Sequence, residues 1–130
     1  MNPYLLSAAI LCFILGLAHS FLGERLIFRD KRSKGQLVPD QTTAGFKRSH
    51  LRISWANWHI TTAFAWCIGM VLLQLASARQ TLNLDIIWMI GQSITYAMGA
   101  ASLLVLVATK GRHPAWTVLL LIGILTVLGT

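Results

Sequence analysis

The sequence predicts an all-α integral membrane protein built as an antiparallel four-helix bundle. Of its 130 residues, 55% are apolar and only 12% are charged, and the mean hydropathy is +0.64. An ordinary soluble domain is about one-quarter charged. Four spans of about 20 residues use roughly 80 positions and leave about 50 for loops and ends, too few for a second core. This composition excludes a soluble enzyme domain and a disordered chain.

All four spans are expected to belong to one domain, residues 1–130. They are predicted at about residues 4–28, 53–77, 85–109 and 114–129, and a basic connecting stretch covers about residues 29–52. Asn2-Pro3 opens the first helix. The spans are expected to be helices because every backbone polar group in lipid must be satisfied within its own segment.

Local signals mark the other helix ends. Thr42 or Thr43 is expected to cap the second helix, whose first turns, around residues 46–52, are amphipathic and suit the head-group layer. Gly111 is expected to end the third helix, because glycine readily adopts the left-handed conformation of a C-terminal cap. Pro114 is expected at the first position of the fourth helix.

Positive charge predicts the topology. Lysine and arginine outnumber aspartate and glutamate by 11 to 4. Most of the cations lie in the first connecting stretch: Arg25, Arg29, Lys31, Arg32, Lys34, Lys47, Arg48 and Arg52. Short basic loops stay in the cytoplasm, so both termini are expected outside, in a cell inner membrane. The basic stretch is expected to contact anionic lipid head groups, and no nucleic acid partner is expected.

Histidines are the most informative candidate functional residues. His19 precedes Arg25 by six residues in the first span, and His59 follows Arg52 by seven in the second. At about 1.5 Å per residue, each histidine lies roughly 9–10 Å along its helix from a cation at the membrane boundary. The two side chains are therefore expected at matched depth near the cytoplasmic side.

Small residues share the helix face of His19. Cys12, Gly16, His19 and Gly23 form a stripe at helical spacing. Such a stripe either packs closely against another helix or leaves a slot for a flat ligand. With His59 facing His19 across the slot, the pair is expected to hold a haem iron or a transition-metal ion.

Two further residues complete the expected site. Arg52 lies on its cytoplasmic side, where a guanidinium pairs well with haem propionates. His113, at the inner start of the fourth helix, is a third candidate metal ligand. The alternative is an ordinary packing surface in which each histidine bonds to a neighbouring helix. No CxxCH or HExxH motif accompanies these residues.

Glu24 is the only acidic residue near the histidines. It follows Ser20 by four residues and His19 by five, about 140° around the helix from His19. We expect it to form an ion pair with a nearby arginine at the interface. A role as ligand or as general acid or base is the alternative.

Three function classes fit these residues. The leading hypothesis is a haem- or metal-binding membrane protein, with electron transfer as its use. The second is a non-catalytic accessory subunit that packs against a larger membrane protein, or a homo-oligomer, through glycine, alanine and serine faces. The third is an enzyme acting on a lipid or quinone at the inner leaflet through His19, His59 or Glu24. It needs a carboxylate–histidine contact that spacing within the first span does not provide.

Overall fold

The computed structural model describes residues 1–42, 47–78 and 83–130. In these ranges the chain is helical and contains no strand. The helices are α1 (Pro3–Gly23), α2 (Arg48–Ala78), α3 (Leu84–Thr109) and α4 (Ala115–Gly129). A π-helical turn, Glu24–Phe28, and a 3-10 turn, Arg29–Lys31, continue directly from α1.

Three of the described helical segments are long and apolar enough to cross a membrane, which agrees with the predicted membrane class. They are Pro3–Lys31, Arg48–Ser77 and Leu84–Val107. Helix α4 is apolar but has 15 residues. A helix of that length extends about 22 Å, whereas the hydrocarbon core is about 30 Å thick. The fourth crossing therefore stays a prediction.

The chain leaves α3 as its sequence predicts. Lys110 and Gly111 both adopt left-handed conformations, with φ of 52° and 74°. The Gly111 amide donates to the carbonyl oxygen of Leu106 at 2.9 Å and so satisfies one of the last carbonyls of the helix. Pro114 directly precedes α4, one position earlier than expected, because the helix begins at Ala115.

Two other helix starts differ from expectation or were missed. Helix α2 begins at Arg48, so Thr42 does not cap it, and Thr43 lies outside the described residues. The Asn83 side chain caps α3 by accepting a hydrogen bond from the Asp85 amide at 2.8 Å. At the first helix Asn2 accepts from the amide of Tyr4 at 3.0 Å, as an opening Asn2-Pro3 predicts.

The helices divide between two compact units. The first comprises residues 1–15 and 66–130. Its α1 and α2 segments run antiparallel. The backbone amide of Asn2 donates to the Ala76 carbonyl at 2.9 Å, and the Trp66 indole donates to the Phe13 carbonyl at 3.3 Å, so early residues of α1 meet late residues of α2. Its buried core is formed by Leu5, Ala8, Ala9, Cys12, Leu72, Leu75, Ala76, Ile87, Ile94, Met98 and Ile122.

Helices α3 and α4 pack together in that first unit. The Ser102 hydroxyl donates to the carbonyl oxygen of Trp116 at 2.7 Å. Nearer the other end of the pair, Gly91 lies against the side chain of Thr130. Partners further along α3 thus meet positions earlier in α4, so the two helices are antiparallel.

The second unit comprises residues 16–65. It contains the last two turns of α1, the π-helical and 3-10 turns, the basic stretch and the first half of α2. Phe28, Pro39 and Leu51 are buried in it. Every residue of the polar cluster described next belongs to this unit.

Candidate functional site

A hydroxyl, an imidazole and a carboxylate meet between α1 and α2. The Oγ atom of Ser20 lies 2.5 Å from Nδ1 of His59. On the other side of the ring, Nε2 of His59 lies 3.5 Å from Oε2 of Glu24. We call these three residues the Ser20–His59–Glu24 cluster. It supplies, between two helices, the carboxylate–histidine contact that spacing within α1 alone does not provide.

Local helix geometry explains why Ser20 of α1 and Glu24 of the π-helical turn flank one ring. Ser20 and Glu24 are four residues apart and therefore neighbours on one helix face. The π-helical turn begins at Glu24, and single π-turns within helices are frequent at functional sites. The side chains of His59 and Glu24 are 31% and 32% exposed, so both groups remain reachable from outside the protein.

Glu24 is held by two further groups. Arg32 pairs with its Oε1 atom, and the Trp55 indole donates to its Oε2 atom at 3.1 Å. The predicted arginine ion pair of Glu24 is thereby confirmed, with Arg32 as the partner. Trp55 also contacts His59 edge-on, with ring centroids 4.8 Å apart. The ion pair with Arg32 and the indole bond from Trp55 hold the carboxylate beside the imidazole.

The loop that carries Arg32 is closed by its own hydrogen bonds. Ser33 donates through its amide to Oδ1 of Asp40 and through its hydroxyl to Oδ2, each at 2.7 Å. These bonds, led by the one from the amide, hold the pKa of the Asp40 carboxyl below its usual value. The Asp40 carbonyl accepts from Nε of Arg48 at 3.1 Å. The loop thus ties the position of Arg32 to the start of α2.

The small-residue slot beside His19 contains a tryptophan. The indole of Trp58 stacks on the imidazole of His19, with centroids 4.2 Å apart and planes 5° from parallel. Its Nε1 donates to the His19 carbonyl at 2.8 Å, and a Cβ added at Gly23 would overlap the indole. The space expected for a flat ligand at Gly23 is therefore occupied by the indole of Trp58.

The remaining residues of the expected haem or metal site, Gly16, Arg52 and His113, are not part of the Ser20–His59–Glu24 cluster. Gly16 is buried, whereas Arg52 is exposed. His113 belongs to the first unit, where its Nδ1 accepts a hydrogen bond from the backbone amide of Ala115, the first residue of α4, at 3.2 Å. Within the described ranges, no three His, Cys, Asp or Glu side chains come together as a possible metal site. The prediction of a metal held by His19, His59 and His113 thus gains no support.

Sequence reasoning missed Ser20, Arg32 and Trp58. The four-residue spacing of Ser20 and Glu24 was a usable signal for the first. Nothing local identifies Arg32 among eight cations of the basic stretch, because its contact depends on the path of the loop.

No known protein family matches the chain, and no curated protein or solved structure is similar to it.

Proposed function

We propose that the four helices form one antiparallel bundle in a cell inner membrane, with the basic stretch facing anionic head groups in the cytoplasm. Contacts within the first unit support this arrangement. The Asn2 side chain donates to the Gly129 carbonyl of α4 at 3.0 Å, and the Asn2 backbone amide donates to the Ala76 carbonyl of α2. The charge asymmetry of the loops supports the orientation.

We propose that the Ser20–His59–Glu24 cluster binds the head group of an amphiphile, a lipid or a quinone, at the membrane surface and exchanges a proton with it. One observation carries this proposal: both ring nitrogens of His59 have polar partners while the side chain stays 31% exposed. An imidazole between a hydroxyl and a carboxylate is a recurrent general acid–base arrangement.

Each residue has a distinct role in the proton exchange. A hydroxyl or acid group of the ligand gives one proton to the Ser20 hydroxyl while Ser20 passes its own proton to Nδ1 of His59, so the ligand becomes its conjugate base and the imidazole becomes an imidazolium. Glu24 stabilises the new positive charge at Nε2. The hydroxyl of Ser20 lies at Nδ1 and sets the orientation of the ring. The reverse transfer returns the proton and restores neutral His59.

A haem or metal ion bound by His59 has less support in this geometry. A histidine coordinates iron through one ring nitrogen. At His59 both nitrogens already face protein groups, and at Gly23 an added Cβ would overlap the indole of Trp58. We therefore expect the purified protein in detergent to show no haem absorption in the visible region.

The pH dependence of tryptophan fluorescence tests the proposed proton exchange. Protonated imidazole quenches a neighbouring indole, and Trp55 is 4.8 Å from His59 between ring centroids. Because the proposal has the imidazole of His59 gain and lose a proton, the wild-type protein should show an inflection in emission as the pH is varied. His59→Gln should remove the inflection, whereas the control His50→Gln, at an exposed position, should keep it.

Ligand coupling is measured in the same experiment. Adding laurate, a single-chain amphiphile with a carboxyl group, should move the midpoint of the wild-type curve, because a ligand that prefers one ionisation state shifts the equilibrium. Identical curves for the wild type and His59→Gln, with and without laurate, would contradict the proposal.

A further inference from the structure

The groups of the Ser20–His59–Glu24 cluster stand in the order of a nucleophile, a base and an acid. The Oγ atom of Ser20 lies 2.5 Å from Nδ1 of His59, and Oε2 of Glu24 lies 3.5 Å from Nε2 of the same ring. A serine hydroxyl becomes a nucleophile when an adjacent imidazole accepts its proton and a carboxylate holds the imidazole. In the familiar serine triads the two ring nitrogens are exchanged, but each group has the same role.

The carboxylate of Glu24 favours the tautomer of His59 that this chemistry needs. Only an unprotonated Nδ1 accepts the proton of Ser20, so the ring N–H must lie on Nε2, the nitrogen that faces Glu24. Arg32 and Trp55 hold the carboxylate beside that nitrogen. When His59 takes up the proton, the adjacent negative charge stabilises the imidazolium.

Ser20 lies at the depth that the ester group of a lipid occupies in the proposed membrane arrangement. Arg25, the first cation of the basic stretch, follows it by five residues, roughly 7.5 Å along a helix. A bilayer is about 40–45 Å thick with its head groups and about 30 Å without them, so each head-group layer measures roughly 5–8 Å. With Arg25 among the head groups, Ser20 is near the boundary at which acyl chains are joined to them. Leu17 and Phe21, which flank Ser20 on α1, are exposed apolar side chains that acyl chains can contact.

We propose that Ser20 is the nucleophile of an acyl-transfer reaction whose substrate is the acyl ester of a lipid. This inference rests on the proposed function, because it uses the same cluster and the same proton transfer from Ser20 to His59. It names the ligand class as a lipid ester and adds a covalent intermediate in which Ser20 carries the acyl group.

The reaction balances with water as the second substrate. The Oγ atom of Ser20 forms a bond to the carbonyl carbon of the ester, and its proton passes to Nδ1 of His59. The bond between the carbonyl carbon and the alcohol oxygen then breaks, and the alcohol leaves with the proton from His59. Water gives a proton to His59 and attacks the acyl–serine ester. A fatty acid is released, and the proton on His59 returns to the Ser20 oxygen.

A fluorophosphonate with a dodecyl chain tests the nucleophile in the full chain, in dodecyl maltoside micelles. Ser20 should displace fluoride from phosphorus, and mass spectrometry should show one adduct per chain that peptide mapping assigns to Ser20. The labelling rate should fall at least about a hundredfold in Ser20→Ala and in His59→Gln, because a general base contributes about that much or more. The matched control is Ser93→Ala, which changes an exposed helical serine bonded to the Met89 carbonyl and should be labelled like the wild type.

The substrate class is tested with p-nitrophenyl laurate in the same micelles. The wild type and Ser93→Ala should release p-nitrophenolate at least about tenfold faster than Ser20→Ala, and a lauroyl adduct on Ser20 should be detected after rapid acid quenching. Equal release by the wild type and Ser20→Ala, with no lauroyl adduct, would contradict acyl transfer.

Three outcomes of the labelling experiment would overturn the inference: no adduct in the wild type, an adduct on another residue, or equal labelling rates in the wild type and His59→Gln. Circular dichroism verifies that each variant is folded, and adduct mapping needs only the wild type should Ser20→Ala fail to fold. A wild type that stays unlabelled but shows the pH inflection that His59→Gln loses rejects the nucleophile and retains the proton exchange. Absence of both the adduct and the inflection rejects both proposals.

Discussion

The tight contact of Gly23 with Trp58 gives the sharpest stability prediction. Gly23→Ala places a methyl group where the indole of Trp58 lies. The indole must move, and it then loses both its stacking on His19 and its bond to the His19 carbonyl. Gly99 is the matched control, because it is a helical glycine whose added Cβ meets nothing within 4 Å among the described residues.

Opposing effects set the size of the change. Overpacking costs about 1–3 kcal/mol, and an interhelical hydrogen bond in a membrane protein is worth about 0.6 kcal/mol. Alanine is better than glycine inside a helix by roughly 0.5–1 kcal/mol. The free energy of unfolding should therefore fall by about 1–3 kcal/mol in Gly23→Ala and rise by up to about 1 kcal/mol in Gly99→Ala.

Unfolding by SDS in mixed micelles, followed by tryptophan fluorescence, measures these differences. The Gly23→Ala penalty should disappear in a Trp58→Ala background, because the overlapping ring is gone. Equal stability of Gly23→Ala and Gly99→Ala, with an unchanged emission maximum, would refute the packing of Trp58 over Gly23.

Three other predictions concern helix ends and the loop. Gly111→Ala should lower the free energy of unfolding by about 1–2 kcal/mol, because its left-handed conformation is costly for alanine, and SDS unfolding measures it. Asn83→Ala should cost about 1 kcal/mol by removing the cap of α3, with loss of amide-exchange protection in the first turn. The Asp40 carboxyl has a lower pKa in the folded chain than in the unfolded chain. Its hydrogen bonds with Ser33 therefore stabilise the fold fully above the unfolded pKa of about 3.9, and this stabilisation is lost as the pH falls through the folded pKa. The protection factor of the Ser33 amide, which corrects for the intrinsic pH dependence of hydrogen exchange, should fall over that acidic window in the wild type, and in Asp40→Asn it should already be low at neutral pH.

Hydropathy and capping signals were enough to predict the helices, because both act over a few neighbouring residues. Asn2-Pro3 and Gly111 mark helix ends through backbone preferences that hold in any context. Thr42 failed as a cap signal because a residue type that can cap a helix does not by itself decide where the helix begins. The helix instead begins at Arg48.

The candidate site was only partly predictable, because its contacts depend on the register between helices and on the loop. Sequence spacing relates Ser20 to Glu24 on one helix, but it does not reveal that His59 lies between them. Of the small-residue stripe, Gly23 is the position where the structure shows a close neighbour. What approaches Gly23 is the large indole of Trp58, and residue size along one helix cannot reveal the side chain opposite.

The most direct test of the central claim is nitrogen NMR of the His59 ring in micelles. Our account predicts that both ring nitrogens show hydrogen-bonded shifts, that Ser20→Ala changes the signal of Nδ1, and that Glu24→Gln changes the signal of Nε2. Ring signals that do not respond to either substitution would contradict the cluster on which the proposed function depends.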